Sequence, residues 1–160
     1  MSELSHLDER GRARMVDVSG KNSSSRSALA QGRVELGEEA FTALIENGAS
    51  KGDALSVAQV AGILAAKKTG ELIPLCHPLP LSHVGVDFEL LHDERAVRVI
   101  ARVSCEGATG VEMEALTAVS LAALTIYDML KALDKNIRIT GIELLEKTGG
   151  KSGHWKRESA

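Results

Sequence analysis

Residues 110–131 read GVEMEALTAVSLAALTIYDMLK, and this stretch decides the fold. Its middle contains Ala, Val, Leu and Ile at nearly every position, which is typical of a helix that is buried on all sides. Charged residues nevertheless occur near both ends, namely Glu112, Glu114, Asp128 and Lys131. Because burying an unpaired charge is costly, such residues are paired, placed at the mouth of a cavity, or used in chemistry. The stretch therefore predicts a long apolar helix whose charges belong to a binding site.

A second unusual segment, residues 73–80, reads IPLCHPLP and contains all three prolines of the chain. The prolines restrict the backbone on both sides of Cys76 and His77. Rigid loops are good holders of ligands, so this segment is a second candidate for the binding site.

The composition indicates one domain over residues 1–160, long enough to bury a core without disulfides. Hydrophobic residues make up 44% of the chain and aromatic residues 2%, so the core is expected to consist of small and medium aliphatic side chains at close range. The terminal segments, about 1–13 and about 152–160, are polar and are expected to be loose.

Several classes of protein are disfavoured by the composition. A net charge of −3 argues against nucleic-acid binding through a bulk positive field. Two cysteines are too few for a disulfide framework. The sequence contains no run of 18 apolar residues, so no membrane span is predicted. The first residues lack the basic-then-apolar order of a signal peptide. We therefore expect a cytoplasmic protein without a membrane or nucleic-acid partner.

Periodicity and turn residues predict the remaining elements. The predicted strands are 15–18, 28–36, 81–91, 96–105 and 137–145, and the predicted helices are 38–47, 54 to about 68, and roughly 110–133. A polar loop is expected at 20–26, Gly48 is expected to stop the first helix, and Asp53 is expected to be the N-cap of the second. The strands 81–91 and 96–105 form a hairpin. This order predicts an α+β fold with helices on one face of an antiparallel sheet.

The charges of the long helix lie too far apart for one compact site in a single chain. Glu114 and Asp128 are separated by 14 residues, or roughly 21 Å along a helix axis. Asp128 and Lys131 lie on neighbouring parts of one face, where an ordinary ion pair at a helix end is the simplest interpretation. Either the two ends have separate roles, or a second subunit brings one chain's Glu114 close to another's Asp128.

Two local patterns receive little support as chemical motifs. Cys76 and His77 lack the further ligands of a zinc site, and adjacent side chains in an extended segment point apart, so a packed or hydrogen-bonded His77 is the simpler interpretation. The residues GKS at 150–152 fail as a phosphate loop, because Leu145 stands where glycine is required and only eight residues follow. A flexible basic tail is the simpler interpretation of Lys151. No metal site is predicted.

Lysines recur at the ends of predicted elements, at Lys51, Lys67, Lys68, Lys131 and Lys147. Each one alone is most often a solvated surface group. As a set they suit the binding of a polyanion, because lysine presents a compact positive charge to phosphate oxygens.

Six segments, in their order and spacing, resemble the motifs of the MoaC family, the cyclic pyranopterin monophosphate synthases of molybdenum cofactor biosynthesis. They are 15–19 (MVDVS), 51–53 (KGD), 73–79 (IPLCHPL), 109–118 (TGVEMEALTA), 123–129 (ALTIYDM) and 149–153 (GGKSG). The resemblance covers about residues 5–156. It implies a ferredoxin-like α+β fold and a hexamer built as a trimer of dimers, with sites at the dimer interface.

The resemblance also implies a reaction. The substrate is 3′,8-cyclo-7,8-dihydroguanosine 5′-triphosphate, which is converted to cyclic pyranopterin monophosphate with release of pyrophosphate, the work of a phosphorus–oxygen lyase. No built-in cofactor is implied, and any Mg²⁺ would come with the triphosphate.

The resemblance assigns roles to individual residues. It implies that Asp128, Lys131 and Lys51 are catalytic. It implies that the substrate is bound by Leu75, Cys76, His77, Met113, Glu114, Lys67, Lys147 and Arg26.

Two other classes of function are also compatible with the residues. A non-catalytic nucleotide or pterin carrier would use the same lysines without needing the Asp128–Lys131 pair. A purely structural oligomer would use the apolar helix as an interface and would give His77 and Lys51 no role.

Overall fold

A five-stranded antiparallel sheet forms one layer of the protein, with strands in the order β2-β3-β1-β4-β5. The computed structural model describes residues 6–46, 53–151 and 153–158. In chain order the elements are β1 (Ser24–Glu35), α1 (Glu38–Glu46), α2 (Ala54–Lys67), α3 (Thr69–Leu72), β2 (Leu81–Leu91), β3 (Ala96–Gly107), α4 (Glu112–Leu130), β4 (Arg138–Thr148) and β5 (Trp155–Lys156), with a short 3₁₀ turn at His92–Glu94.

The helices and the sheet form two layers. Helix α4 lies across β1, β3 and β4, and α2 packs beside it on β2. The opposite face of the sheet carries charged pairs, among them Arg98 with Glu89 at 2.7 Å. The predicted α+β fold, with helices on one face of an antiparallel sheet, is confirmed. If β5 is left out and α1, α2 and α3 are counted as one helical connection, the order of elements is β-α-β-β-α-β.

Small side chains fill the interface between α2 and α4. Buried residues of α2 are mostly Ala and Gly, and α4 presents Ala115, Ala118 and Ala122, each fully buried. The backbones approach closely, since a Cβ added to Gly62 would lie 2.9 Å from the carbonyl oxygen of Ala118. The low aromatic content of the chain is thus consistent with a core in which small side chains allow the backbones of neighbouring elements to pack closely.

Most predicted elements are present with small shifts at their ends. The cap of α2 is confirmed, because the Leu55 amide donates to Asp53 Oδ1 at 3.1 Å. The hairpin is confirmed too, with Leu90 opposite Val97 in the β2–β3 register. Gly48, predicted to stop α1, lies outside the described residues.

Several expectations about the ends of elements were wrong. Residues 15–18 are not a strand, since they form no sheet pairing. Residues 24–26, expected in a loop, begin β1, where Ser24 pairs with Gly107. The tail, expected to be loose, contains β5, which pairs with Glu146 and Lys147 of β4.

The composition of α4 predicts a helix that is buried on all sides, but the structure exposes part of its surface. Leu124 is 53% exposed and Met113 is 37% exposed. Among the described residues, α4 is the one helix long and apolar enough to cross a membrane by length and composition, and half of its most apolar window is buried within the protein. A core helix of this length passes the same test, so α4 is weak evidence for a membrane span.

Replacement of Gly62 by Ala tests the close packing of α2 on α4. The new Cβ meets a backbone carbonyl of α4 that cannot rotate away, so the helices must separate. We expect a loss of about 1–3 kcal/mol in the free energy of unfolding, despite the better helix propensity of Ala. Urea denaturation at fixed protein concentration measures this loss.

Gly20→Ala is the matched control, because nothing lies within 4 Å of the added Cβ. It should change stability by less than about 0.5 kcal/mol. A Gly62→Ala protein as stable as the wild type would contradict the proposed packing constraint.

Candidate active site

A cleft with two lobes opens beside the first turn of α4. The basic lobe, about 750 Å³, lies between the loop before β1, the β3–α4 connection and the turn after β4. The Glu114 lobe, about 380 Å³, lies between the proline-rich segment and the start of α4. Both lobes are lined by Lys21, Thr109, Gly110 and Glu112, so they form one continuous space, which we call the two-lobed cleft.

The basic lobe concentrates positive charge in a chain that is negative as a whole. Its lining includes the cationic side chains of Lys21, Arg26, Lys147 and Lys151, with Glu112 as the one carboxylate among the described lining residues. Such a local excess of positive charge attracts anions even when the net charge of the protein is negative. The lobe is therefore suited to phosphate groups.

Arg26 is held in place by backbone groups. Its Nε donates to the carbonyl oxygen of Gly107 at 3.2 Å, and its Nη2 donates to that of Ala108 at 3.3 Å. Gly149 and Gly150 turn the chain after β4 with φ of 98° and 72°, a conformation that favours glycine. A Cβ on Gly150 would collide with the guanidinium of Arg26. The glycine pair therefore leaves the space that this guanidinium occupies.

One buried hydroxyl in the basic lobe has no partner. The Oγ atom of Ser24 is buried and makes no hydrogen bond to any described residue. Buried polar groups in native proteins are nearly always paired, so an unpaired one beside a cavity is a candidate for contact with a ligand.

An ion pair stands at the junction of the two lobes. Lys147 Nζ donates to Glu112 Oε1 at 2.7 Å. Both side chains are partly buried, with about 30% and 25% of their surface exposed. This pair connects the end of β4 to the first turn of α4.

The Glu114 lobe brings together two predicted substrate-binding segments. Its lining includes Leu75, Cys76 and His77 from the proline-rich segment and Met113 and Glu114 from α4. The sequence placed these segments about 35 residues apart, and the fold places them on two sides of one cavity.

Glu114 is the buried carboxyl group of this lobe. Only 3% of the residue is exposed, and it makes no side-chain hydrogen bond to another described residue. Burial raises the pKa of Glu114, and the nearby charge of Glu112 raises it further, against the opposing effect of the backbone N–H of Glu114 itself. Such a group keeps its proton to a higher pH than an exposed glutamate does.

The thiol of Cys76 is not activated. Burial raises its pKa, and the charge of Glu114 adds to the effect, so Cys76 stays in the thiol form at neutral pH. Because the thiolate is the reactive species, this environment gives Cys76 no nucleophilic role.

The predicted catalytic pair lies at the other end of α4. Lys131 Nζ contacts Asp128 Oδ1 at 2.5 Å, and both side chains are more than half exposed. The hydrogen bond that Lys131 donates to Asp128, together with the negative charge of Asp128, raises the pKa of Lys131. Within one chain, roughly 21 Å of helix separates Asp128 from Glu114, so the fold does not bring this pair to the two-lobed cleft.

One other predicted site lysine, Lys67, is not in the cleft. Lys67 lines a neighbouring cavity of about 380 Å³, which shares Leu79 with the Glu114 lobe. Lys51 lies outside the described residues.

Three lining residues were missed from the sequence. Lys21 and Ser24 lie in or beside a polar stretch with no periodicity to reveal which side chains point inward. Lys151, interpreted as part of a flexible tail, lines the basic lobe because the glycines before it turn the chain back. The adjacent Gly149 and Gly150 were the available signal. Among residues 6–46, 53–151 and 153–158, no three His, Cys, Asp or Glu side chains form a group that could hold a metal ion.

Comparisons with known proteins identify the family of this chain. The MoaC family model matches residues 15–150. The chain is 58% identical to the cyclic pyranopterin monophosphate synthase of Thermomicrobium roseum, over 99% of this chain and 95% of that protein. It is 58% identical to the protein of the same name from Corynebacterium glutamicum strain R, over 97% and 98% of the two chains. With the synthase of Heliobacterium modesticaldum it shares 56% identity over 99% of both.

The family match includes the described residues that line the two-lobed cleft, except His6 and Lys151. This chain belongs to the MoaC family.

Proposed function

We propose that this protein is a cyclic pyranopterin monophosphate synthase of molybdenum cofactor biosynthesis. It converts 3′,8-cyclo-7,8-dihydroguanosine 5′-triphosphate to cyclic pyranopterin monophosphate and releases pyrophosphate, which makes it a phosphorus–oxygen lyase. One observation carries the proposal: a lobe lined by four cationic side chains opens directly into a lobe with a buried carboxyl group. A triphosphate and a purine-derived ring need these two environments side by side.

The basic lobe supplies the electrostatic part of the reaction. Formation of a cyclic phosphate with loss of pyrophosphate places negative charge on the leaving phosphates. Arg26 and Lys147 are held in this lobe by backbone contacts and by strand pairing, so their positive charges are in position before the substrate arrives. Mg²⁺ would arrive with the triphosphate and share this role, as is common in phosphoryl chemistry.

The Glu114 lobe supplies recognition of the ring. Carboxylate and carbonyl oxygens accept hydrogen bonds from the amino and ring N–H groups of a guanine-derived substrate. Glu114 and the backbone around His77 lie on opposite sides of this lobe and serve as these acceptors.

Asp128 and Lys131 perform the proton transfers of the ring rearrangement, as base and acid. Because this pair lies far from the cleft in its own chain, we infer that a second copy supplies it, in a hexamer built as a trimer of dimers. Support comes from the apolar stripe on α2 formed by Val57, Val60 and Leu64, between 44% and 56% exposed. Lys51 is proposed as a third catalytic residue, and Lys67 as a substrate contact. The cytoplasm is the proposed location.

The direct test is to incubate the purified protein with the cyclised nucleotide triphosphate and to assay both products. Formation of pyrophosphate and cyclic pyranopterin monophosphate supports the enzyme. Binding without conversion would instead establish a carrier, and absence of binding would leave a structural oligomer.

Asp128→Asn tests the catalytic pair. The amide keeps the size of the side chain but cannot accept a proton, so we expect substrate affinity within about threefold of wild type and a loss of turnover of about 10²-fold or more. Lys131→Ala and Lys51→Ala should also abolish turnover while the proteins stay folded.

Calorimetric titration beside a product assay separates binding from chemistry in these variants. Lys156→Ala, at an exposed lysine of β5 that lines neither lobe, is the control and should keep full activity. Turnover near the wild-type rate in a folded Asp128→Asn protein would remove Asp128 from the mechanism.

Mixing two inactive variants tests whether sites are shared between subunits. Arg26→Ala damages the cleft and Asp128→Asn damages the pair, so each variant alone should be inactive. If a site combines the cleft of one chain with Asp128 of its partner, each mixed dimer keeps one intact site. Random 1:1 mixing then restores about a quarter of wild-type activity.

The two variants should be unfolded together and refolded, with each variant refolded alone as the control. A mixture no more active than its components would show that each site is built within one chain.

Glu114→Gln tests how much the buried carboxyl group destabilises the folded protein. The folded-state pKa of Glu114 is raised, so the folded protein binds a proton more tightly than the unfolded chain, and Glu114 costs stability as the pH rises above about 4.5. Gln carries no such cost. The variant and the wild type should melt together near pH 4, and the variant should melt about 2–4 °C higher at pH 8.

Differential scanning calorimetry across this pH range measures the difference. Glu106→Gln, which removes an exposed carboxylate from β3, should show no such pH-dependent gain. A wild type at least as stable as Glu114→Gln at pH 8 would contradict the assignment.

A further inference from the structure

The Glu112–Lys147 pair occupies the point at which the two lobes meet. Glu112 lines both lobes, whereas Lys147 lines the basic lobe. The two side chains are joined at 2.7 Å and are partly buried, so the pair is less screened by water than an exposed pair. Any anion that enters the basic lobe meets a lysine whose charge is already partnered.

The position of each partner is fixed by the fold. The carboxylate of Glu112 folds back to where a Cβ of residue 110 would lie, and it fits only because Gly110 has none. It also lies in the first turn of α4, where the helix dipole favours negative charge. Lys147 is set between Ala28 of β1 and Trp155 of β5 by strand pairing on both sides. The ion pair is therefore built into the ligand-free protein.

The other cations of the basic lobe differ from Lys147 in this respect. Among the described residues, Lys21, Arg26 and Lys151 form no salt bridge, and Arg26 is bonded to neutral carbonyls instead. A bound phosphate can contact these three groups without breaking an ion pair. Lys147 has further N–H donors that can contact a phosphate, but its charge is already partly neutralised by Glu112, so this contact adds less to binding than contact with an unpaired lysine.

We propose that Glu112 is an internal counterion of Lys147, which limits how tightly the cleft holds pyrophosphate and so favours its release. The choice of pyrophosphate rests on the function proposed above. Glu112 acts through Lys147, and is a positioning residue rather than a catalytic one. A cleft with four unopposed cations would bind its anionic product strongly and release it slowly, because affinity differences within one site fall mainly on the dissociation rate.

A direct contact between Glu112 and the bound ligand would predict a different effect of removing its charge. If its carboxylate accepted hydrogen bonds from the bound ligand, removal of the charge would weaken binding of the substrate and leave pyrophosphate binding unchanged. As an internal counterion, Glu112 opposes pyrophosphate, and removal of its charge strengthens binding.

Calorimetric titration with inorganic pyrophosphate distinguishes the two roles. Glu112→Gln keeps the shape of the side chain and removes its charge, and we expect binding about tenfold tighter than wild type, which corresponds to about 1.4 kcal/mol. Glu106→Gln removes one charge from an exposed position on β3 and should leave the affinity within about twofold. Unchanged or weaker binding by a folded Glu112→Gln protein would overturn the proposal.

A double-mutant cycle shows whether the effect passes through Lys147. In a Lys147→Met background the counterion has no partner, so Glu112→Gln should improve pyrophosphate binding by about twofold or less. The same tenfold gain in both backgrounds would mean that Glu112 repels anions in general, and would overturn the assignment to Lys147.

Steady-state kinetics supply a third readout. Stronger inhibition by added pyrophosphate, with a fall in kcat larger than the change in KM, is expected for Glu112→Gln if product release limits turnover. Inhibition by pyrophosphate equal to wild type would contradict the proposal. Failure of the proposed function would appear differently, as absence of turnover in the wild type, and the pyrophosphate titrations would still test the counterion.

Discussion

The close contact between α2 and α4 is the constraint on which the rest of the structure depends. Gly62 lies against the backbone of α4, and alanines on both helices keep the two axes near each other. Because a packed interior resists any change of volume, this contact fixes how far α4 projects beyond the sheet. The first turn of α4 then lies beside the end of β4, and this junction is where the two-lobed cleft forms. The site is in this sense a consequence of small residues that never contact the ligand.

The same helix separates the proposed functions. Its 19 residues span about 28 Å, so groups at its two ends cannot act on one small molecule within one chain. The N-terminal end carries Glu112 and Glu114 in a partly enclosed cleft, and the C-terminal end carries Asp128 and Lys131 in an exposed pair. Exposed ion pairs contribute little to stability, so the Asp128–Lys131 pair is not explained by the stability of the folded monomer. The second copy proposed above would partly bury the pair and place it over a cleft.

The periodic parts of the chain could be predicted from sequence, and the aperiodic parts could not. The alternation of apolar and polar residues predicted β2 and β3, and Asp53 predicted the start of α2. Each of these patterns follows from a local rule of hydrogen bonding or side-chain direction. Residues 15–18 alternate like a strand but find no partner in the sheet, since local propensity does not create a neighbouring edge. Strand β5 was missed for the converse reason: two residues pair with β4 because the glycine turn returns the chain to it. The candidate site shows the same division, with the proline-rich segment and α4 visible in the sequence and Lys21 and Lys151 visible only in three dimensions.

The positions of the charged residues in this protein matter more than the net charge. The chain carries more acidic than basic residues, 22 against 19, yet the described residues that line the basic lobe include four cations and one carboxylate. An enzyme that releases an anionic product needs enough positive charge to stabilise the leaving group, and too much would retain it. A built-in carboxylate resolves the two demands, because it neutralises a lysine when the lobe is empty and yields it when a more highly charged anion enters. In the conformation that contacts Lys147, the carboxylate of Glu112 occupies the space in which a Cβ of residue 110 would lie. A side chain at position 110 would therefore force the carboxylate of Glu112 to shift, and the ion pair with Lys147 would have to form in a different geometry.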